Sequence, residues 1–137
     1  MSNSSQNSFL LIDDDNIDQL IASKIIKREF PALECIPFLD GEKASVYIEE
    51  NINVGKLDHV QFIVVDLMMP IMDGFEFLAN YKKKFYNHLP DVKIIVVSSS
   101  INNHDKALCL SYPFVINYLI KPFSLEGVRK LKLNAVL

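Results

Sequence analysis

The chain has 137 residues, half of them hydrophobic, with 14 basic against 17 acidic residues and a formal net charge of -3. That length fits one domain with a real core and leaves little room for a second. The charge balance lacks the Lys and Arg excess of a nucleic-acid binder, and no apolar stretch reaches the ~18–20 residues that would cross a bilayer.

Residues 1–8, "MSNSSQNS", lack the cationic and apolar parts of a secretory signal. They are expected to form a disordered lead-in to one domain over 9–137. "FLLI", Phe9–Ile12, is a short aliphatic run that ends in three acids, Asp13–Asp15. Next, Ile17, Leu20, Ile21 and Ile25 repeat at helical spacing, with Asp15 or Asn16 placed to cap the start. "LECIPF", Leu33–Phe38, reads as a second strand. Pro37 has no N–H for a ladder bond, so that strand belongs at a sheet edge. A helix over Lys43–Glu50 and a longish polar loop over Asn51–His59 follow.

"FIVV", Phe62–Val65, ends in Asp66, and Asp73-Gly74 reads as a helix-start turn. A third helix covers Phe75–Tyr86. In it Phe77, Tyr81 and Phe85 have the spacing of a packing stripe, and "YKKKFYNH" reads as a solvated face. "IIVV", Ile94–Val97, ends in Ser98, and a short helix lies near Asn103–Ser111. "VINYLI", Val115–Ile120, ends at Lys121-Pro122, and a last helix lies near Leu125–Leu133. Cys35 and Cys109, far apart in apolar surroundings, read as free thiols of a reducing cytoplasm rather than a disulfide or metal pair.

Brief β-branched runs suit strands buried on both faces. Their alternation with helices predicts an α/β fold, a doubly wound five-stranded parallel sheet with helices on both sides. In such sheets ligands bind outside the carboxyl ends of the strands. That rim collects Asp13–Asp15, Asp66, Ser98 and Lys121 from four of the five strands. Two carboxylates about 4 Å apart repel by roughly 4 kcal/mol at an effective dielectric near 20. Asp13, Asp14 and Asp66 therefore need a proton or a shared cation. Oxygen ligands without a His or Cys cluster favour Mg²⁺. Lys121 adds a cation for an incoming phosphate, and Ser98 a hydroxyl donor. The set suits phosphoryl transfer with a carboxylate nucleophile. Asp66 is the best candidate, standing alone at the end of a central strand while Asp13 and Asp14 form a pair.

The motifs "LLIDDD", "VVDLMMPIMDG", "IIVVSSS" and "YLIKPF", in this order over about Phe9 to Leu131, resemble the receiver domain of bacterial two-component response regulators. The resemblance implies a flavodoxin-like three-layer sandwich with strand order 2-1-3-4-5. It implies Asp66 as phosphoacceptor and Mg²⁺ held by Asp13, Asp14, Asp66 and the backbone carbonyl of Met68. It further implies Ser98 and Tyr118 as switch residues, Lys121 as the phosphate-pairing lysine and a cis Lys121-Pro122 peptide. The phosphoryl donor would be a sensor histidine kinase or histidine phosphotransfer protein. Few residues follow the last helix, so a stand-alone receiver is expected, with output through a downstream protein or onward phosphorelay and no direct contact with nucleic acid or membrane. It would modify itself and lose the phosphoryl group, rather than turn over small molecules. Met68 is apolar where many relatives carry a polar side chain, so a long-lived phosphoryl group is expected.

Other readings are weaker. A pseudo-receiver that binds partners without phosphorylation would be favoured by missing acids or a missing lysine, and all are present. An aspartyl-phosphate hydrolase of the haloacid dehalogenase type needs a second Asp at position 68. A flavodoxin relative would want a hydroxyl-rich phosphate loop where the three acids stand. Asp15 and Asp18 read most simply as cap or turn formers.

Overall fold

A computed structural model describes residues 7–133. Five strands, β1 (Ser8–Ile12), β2 (Glu34–Phe38), β3 (Val60–Asp66), β4 (Lys93–Ser98) and β5 (Val115–Ile120), form one sheet of order β2-β1-β3-β4-β5. Every neighbouring pair is parallel. The helices are α1 (Asn16–Glu29), α2 (Gly41–Ile52), α3 (Gly74–Lys84), α4 (Asn103–Leu110) and α5 (Leu125–Leu133), with a single 3-10 turn at Tyr86–His88.

The strands are apolar throughout because both faces are covered. Leu10, Ile12, Ile63, Val65, Ile94 and Val96 face the helices α2, α3 and α4. Their alternates Phe9, Leu11, Phe62, Val64, Ile95 and Val97 face α1 and α5. This period of two, with both phases apolar, is the mark of a central parallel sheet. β2 pairs only with β1, with Pro37 opposite Leu11, so Pro37 lies on an edge strand as its missing N–H requires.

Three sequence expectations shift. β1 begins at Ser8, which is buried and donates its N–H to the His59 carbonyl at 2.9 Å. Of the expected lead-in, residues 1–6 lie outside the described residues. The segment read as a polar loop, Asn51–His59, begins as the last turn of α2, then turns at Gly55, whose φ is 72°. It also sends Leu57 into the core. The apolar repeat of α1 marks the helix correctly but not its inward face. Ala22 and Ile26 are buried, whereas Ile17, Leu20 and Ile21 are exposed.

The turn after Asp66 is as expected. Asp73 caps α3 by accepting the Glu76 N–H at 2.9 Å, and the Glu76 carboxylate accepts the Asp73 N–H at 3.4 Å. Phe77, Tyr81 and Phe85 all pack in the core.

Candidate functional site

Asp13 follows β1, Asp66 closes β3, Ser98 closes β4 and Lys121 follows β5, so four strand ends deliver their side chains to one rim. Asp13 and Asp66 are each 5% exposed and Ser98 is fully buried, while Asp14 is exposed. One oxygen from each of Asp13, Asp14 and Asp66 lies within 4.8 Å of the other two.

Backbone contacts fix these positions. The Leu67 N–H donates to the Val97 carbonyl at 3.2 Å, extending the β3–β4 pairing just past Asp66. The Gly74 N–H then donates to the Leu67 carbonyl at 2.8 Å, folding the loop back. A Cβ at Gly74 would meet Leu67 Cα at 2.6 Å, so only glycine lets α3 start this close to the Asp66–Leu67 backbone. The Met68 N–H donates to Asp66 Oδ1 at 3.2 Å, which lays the Met68 backbone against the acid while its side chain is 62% exposed. The Lys121 N–H donates to the Ser98 carbonyl at 2.9 Å, and the Lys121-Pro122 peptide is cis.

The Lys121 ammonium directs its three donors at three carboxylates. Asp66 Oδ2 lies at 2.9 Å, Asp18 Oδ2 at 3.0 Å and Asp13 Oδ2 at 3.4 Å. Burial acts to discharge the lysine, but the hydrogen bonds to Asp66 and Asp18 and the charges of Asp66 and Asp13 outweigh it. Lys121 is therefore held protonated well above the ordinary range. Asp13 goes the other way: burial pushes its carboxyl up to about 6, against the lowering effects of the Asp15 N–H, at 2.9 Å, and of Lys121. The charges of Asp66 and Asp18 push it further in the same direction. A cavity of about 290 Å³ borders the group, with Leu11, Ala22, Val64 and Val97 in its wall.

Asp18, which reads from sequence alone as a cap or turn former, is instead a partner of Lys121. The cap of α1 is Asp15, whose carboxylate accepts the N–H groups of Ile17 and Asp18. That leaves the Asp18 carboxylate to reach Lys121. Its signal was positional: the first turn of the helix after β1 must stand over the strand ends.

Beside this cluster the β4–α4 loop forms a hydroxyl network. Ser98 Oγ accepts the Ser100 N–H at 3.0 Å, and Ser100 Oγ donates to Asp105 Oδ2 at 2.8 Å. Tyr118 is buried, and its hydroxyl donates to the Ser100 carbonyl at 3.0 Å. Ser100, the last serine of "IIVVSSS", is the residue that joins Ser98, Tyr118 and α4.

The oxygen set of Asp13, Asp14 and Asp66, with neither His nor Cys in it, fits a hard divalent cation of the Mg²⁺ type. A buried carboxylate at a strand end, a protonated lysine and a buried hydroxyl together suit an acyl-phosphate chemistry.

The family model for the response regulator receiver domain matches residues 9–131. The chain belongs to this family. Receiver domains bind Mg²⁺ at an acidic pocket, and this chain carries a cluster of three aspartates, Asp13, Asp14 and Asp66. Response regulator Rcp1 of Synechocystis sp. is 28% identical to this receiver over 126 residues, 89% of the chain and 81% of Rcp1. Stress response regulator protein 1 of Lodderomyces elongisporus is 27% identical over 108 residues, 79% of the chain but only 27% of that protein. A two-component response regulator from Cytophaga hutchinsonii has a solved structure that superposes with a TM-score of 0.83 at 27% identity. The match covers 97% of this receiver and 98% of that chain. Among the described residues no helix is long and apolar enough to cross a membrane.

Proposed function

We propose that this receiver accepts a phosphoryl group on Asp66 from a histidine kinase or histidine phosphotransfer protein, in a Mg²⁺-dependent reaction in the cytoplasm. It then signals through a protein contact or passes the group on. The observation that carries this reading is the environment of Asp66, at once bonded to Lys121 at 2.9 Å and within reach of the oxygens of Asp13 and Asp14.

Asp13, Asp14, Asp66 and the Met68 carbonyl would hold the ion. Bound there, it supplies positive charge against the oxygens of the transferring group. An Asp66 oxygen attacks phosphorus as the bond to the donor's histidine nitrogen breaks, giving an acyl phosphate. Lys121 turns from the Asp66 carboxylate to a phosphoryl oxygen. Ser98 uses its oxygen as an acceptor for Ser100, which leaves its hydrogen to donate to the new group. A shift of Ser98 reaches Tyr118 and α4 through Ser100, and the face of α4, β5 and α5 follows as a shift between existing states. Met68 brings no polar atom to orient an attacking water, so the phosphoryl group is long-lived and Met68→Asn shortens its life.

Apolar residues exposed on α1 and on the loops after β3 and β4 suit the histidine-bearing partner. Ile17, Leu20 and Ile21 stand exposed on α1 beside Asp18, and Met68, Ile71 and Ile101 on the neighbouring loops. Ile71 is 72% exposed at φ 69°, a conformation that costs a β-branched residue about 1–3 kcal/mol. A helical partner covering these side chains removes apolar surface from water as it delivers the phosphohistidine.

Beryllofluoride binding tests the reading. In Mg²⁺ the wild type should give a bound ¹⁹F resonance that is lost in Asp66→Asn and on chelation. No bound resonance in the wild type would sink the proposal.

A further inference from the structure

We infer that Asp18 competes with the phosphoryl group for Lys121 and so sets how readily Asp66 is modified. This rests on the phosphoacceptor reading and deepens it.

Lys121 carries three N–H donors, and the three carboxylates around it occupy all of them. Two of these partners are released in the reaction itself. Asp66 gives up its anionic charge when it becomes an acyl phosphate, and Asp13 would turn to a cation held with Asp14 and Asp66. Asp18 has no oxygen in the three-acid cluster, so neither change releases it, and the phosphoryl group has to share the ammonium with it.

A purely structural duty does not account for this contact. A carboxylate in the first turn of a helix is favoured by the helix dipole, but the N–H groups that need a cap here are met by Asp15. Nor is Asp18 needed to place the lysine. The Lys121 main chain is tied to Ser98, and Asp66 at 2.9 Å already fixes the ammonium over the site. What Asp18 adds is charge. Its carboxylate touches the same ammonium as Asp66 and therefore lies close to where phosphoryl oxygens would sit, and like charges at such distances repel. Both effects, the rival claim on the lysine and the repulsion of the anion, have one sign. The side chain is 44% exposed, so water screens the pair and the hold is reversible. Asp18 is thus a positioning residue that acts through Lys121.

The test compares the wild type, Asp18→Asn and Asp18→Glu by beryllofluoride titration in Mg²⁺, read by ¹⁹F NMR. Asp18→Asn should bind about threefold to tenfold more tightly, as expected for one partly exposed charge. Asp18→Glu, which keeps the charge within reach, should stay within about twofold of the wild type. A second reading needs no metal. Reductive methylation followed by mass mapping should label Lys121 about threefold faster in Asp18→Asn, because an ammonium freed of one of its three carboxylates is more accessible. Affinity that is unchanged or weaker in Asp18→Asn, a Glu variant that behaves like Asn, or unchanged labelling of Lys121 each overturns the inference. A wild type that binds no beryllofluoride overturns the phosphoacceptor reading as well.

Discussion

The Tyr118 hydroxyl donates to the Ser100 carbonyl at 3.0 Å, joining β5 to a loop eighteen residues earlier in the chain. Ser100 in turn takes Ser98 through its N–H and Asp105 through its hydroxyl. One serine thus links the buried Ser98 hydroxyl at the end of β4 to a buried aromatic and to the start of α4. Tyr118→Phe keeps the ring and removes the bond, so stability should fall by about 0.5–1.5 kcal/mol. Urea unfolding checks this, with a lower midpoint at an unchanged slope. An unmoved midpoint would mean that the bond contributes nothing.

Gly74 is the point where α3 begins against the backbone that carries Asp66. Gly74→Ala puts a methyl group 2.6 Å from Leu67 Cα and 2.8 Å from the Asp66 carbonyl oxygen, both main-chain atoms that cannot swing aside. The variant should lose about 1–3 kcal/mol of stability. It should also weaken Mg²⁺ binding, because relief requires the Asp66–Leu67 segment to move. Full stability with native Mg²⁺ affinity would show that the loop yields freely.

Asp13 gives a pH signature. Its carboxyl is raised from 3.8 to about 6 chiefly by burial, so between these values the folded chain holds a proton that the unfolded chain has lost. The resulting stability is fully present below the unfolded value and disappears as pH rises through about 6. Relative to Asp13→Asn, the Mg²⁺-free wild type should lose about 2–3 kcal/mol between roughly pH 4 and pH 7. A divalent cation needs the ionised form, so Mg²⁺ affinity should weaken as pH falls below about 6, with proton uptake on release. A difference between the two proteins that is flat with pH would contradict this.

The sheet was legible because its causes are local. Phe62–Val65 and Ile94–Val97 are apolar at every position, which only a sheet covered on both sides requires, and Pro37 alone put β2 at the edge. Asp73-Gly74 announced the start of α3, and Asp73 is its cap. The inward face of α1 was not legible. Ile17, Leu20, Ile21, Ala22, Ile25 and Ile26 span more than one apolar stripe, and spacing cannot say which of them packs. The helix turns Ala22 and Ile26 to the sheet, with Ile25 packed partly against the same core, and leaves Ile17, Leu20 and Ile21 outside. Asp18 was missed for a different reason. Its partner is more than a hundred residues away, and an acid in a first helical turn has an adequate local explanation.

Intact-mass measurement after incubation with acetyl phosphate and Mg²⁺ tests most directly whether Asp66 is the acceptor. An Asp66 oxygen would form its bond to phosphorus as acetate leaves. The prediction is a gain of one phosphoryl group in the wild type, none in Asp66→Asn and none when the metal is chelated. A wild-type chain of unchanged mass, or an adduct that persists in Asp66→Asn, would contradict it.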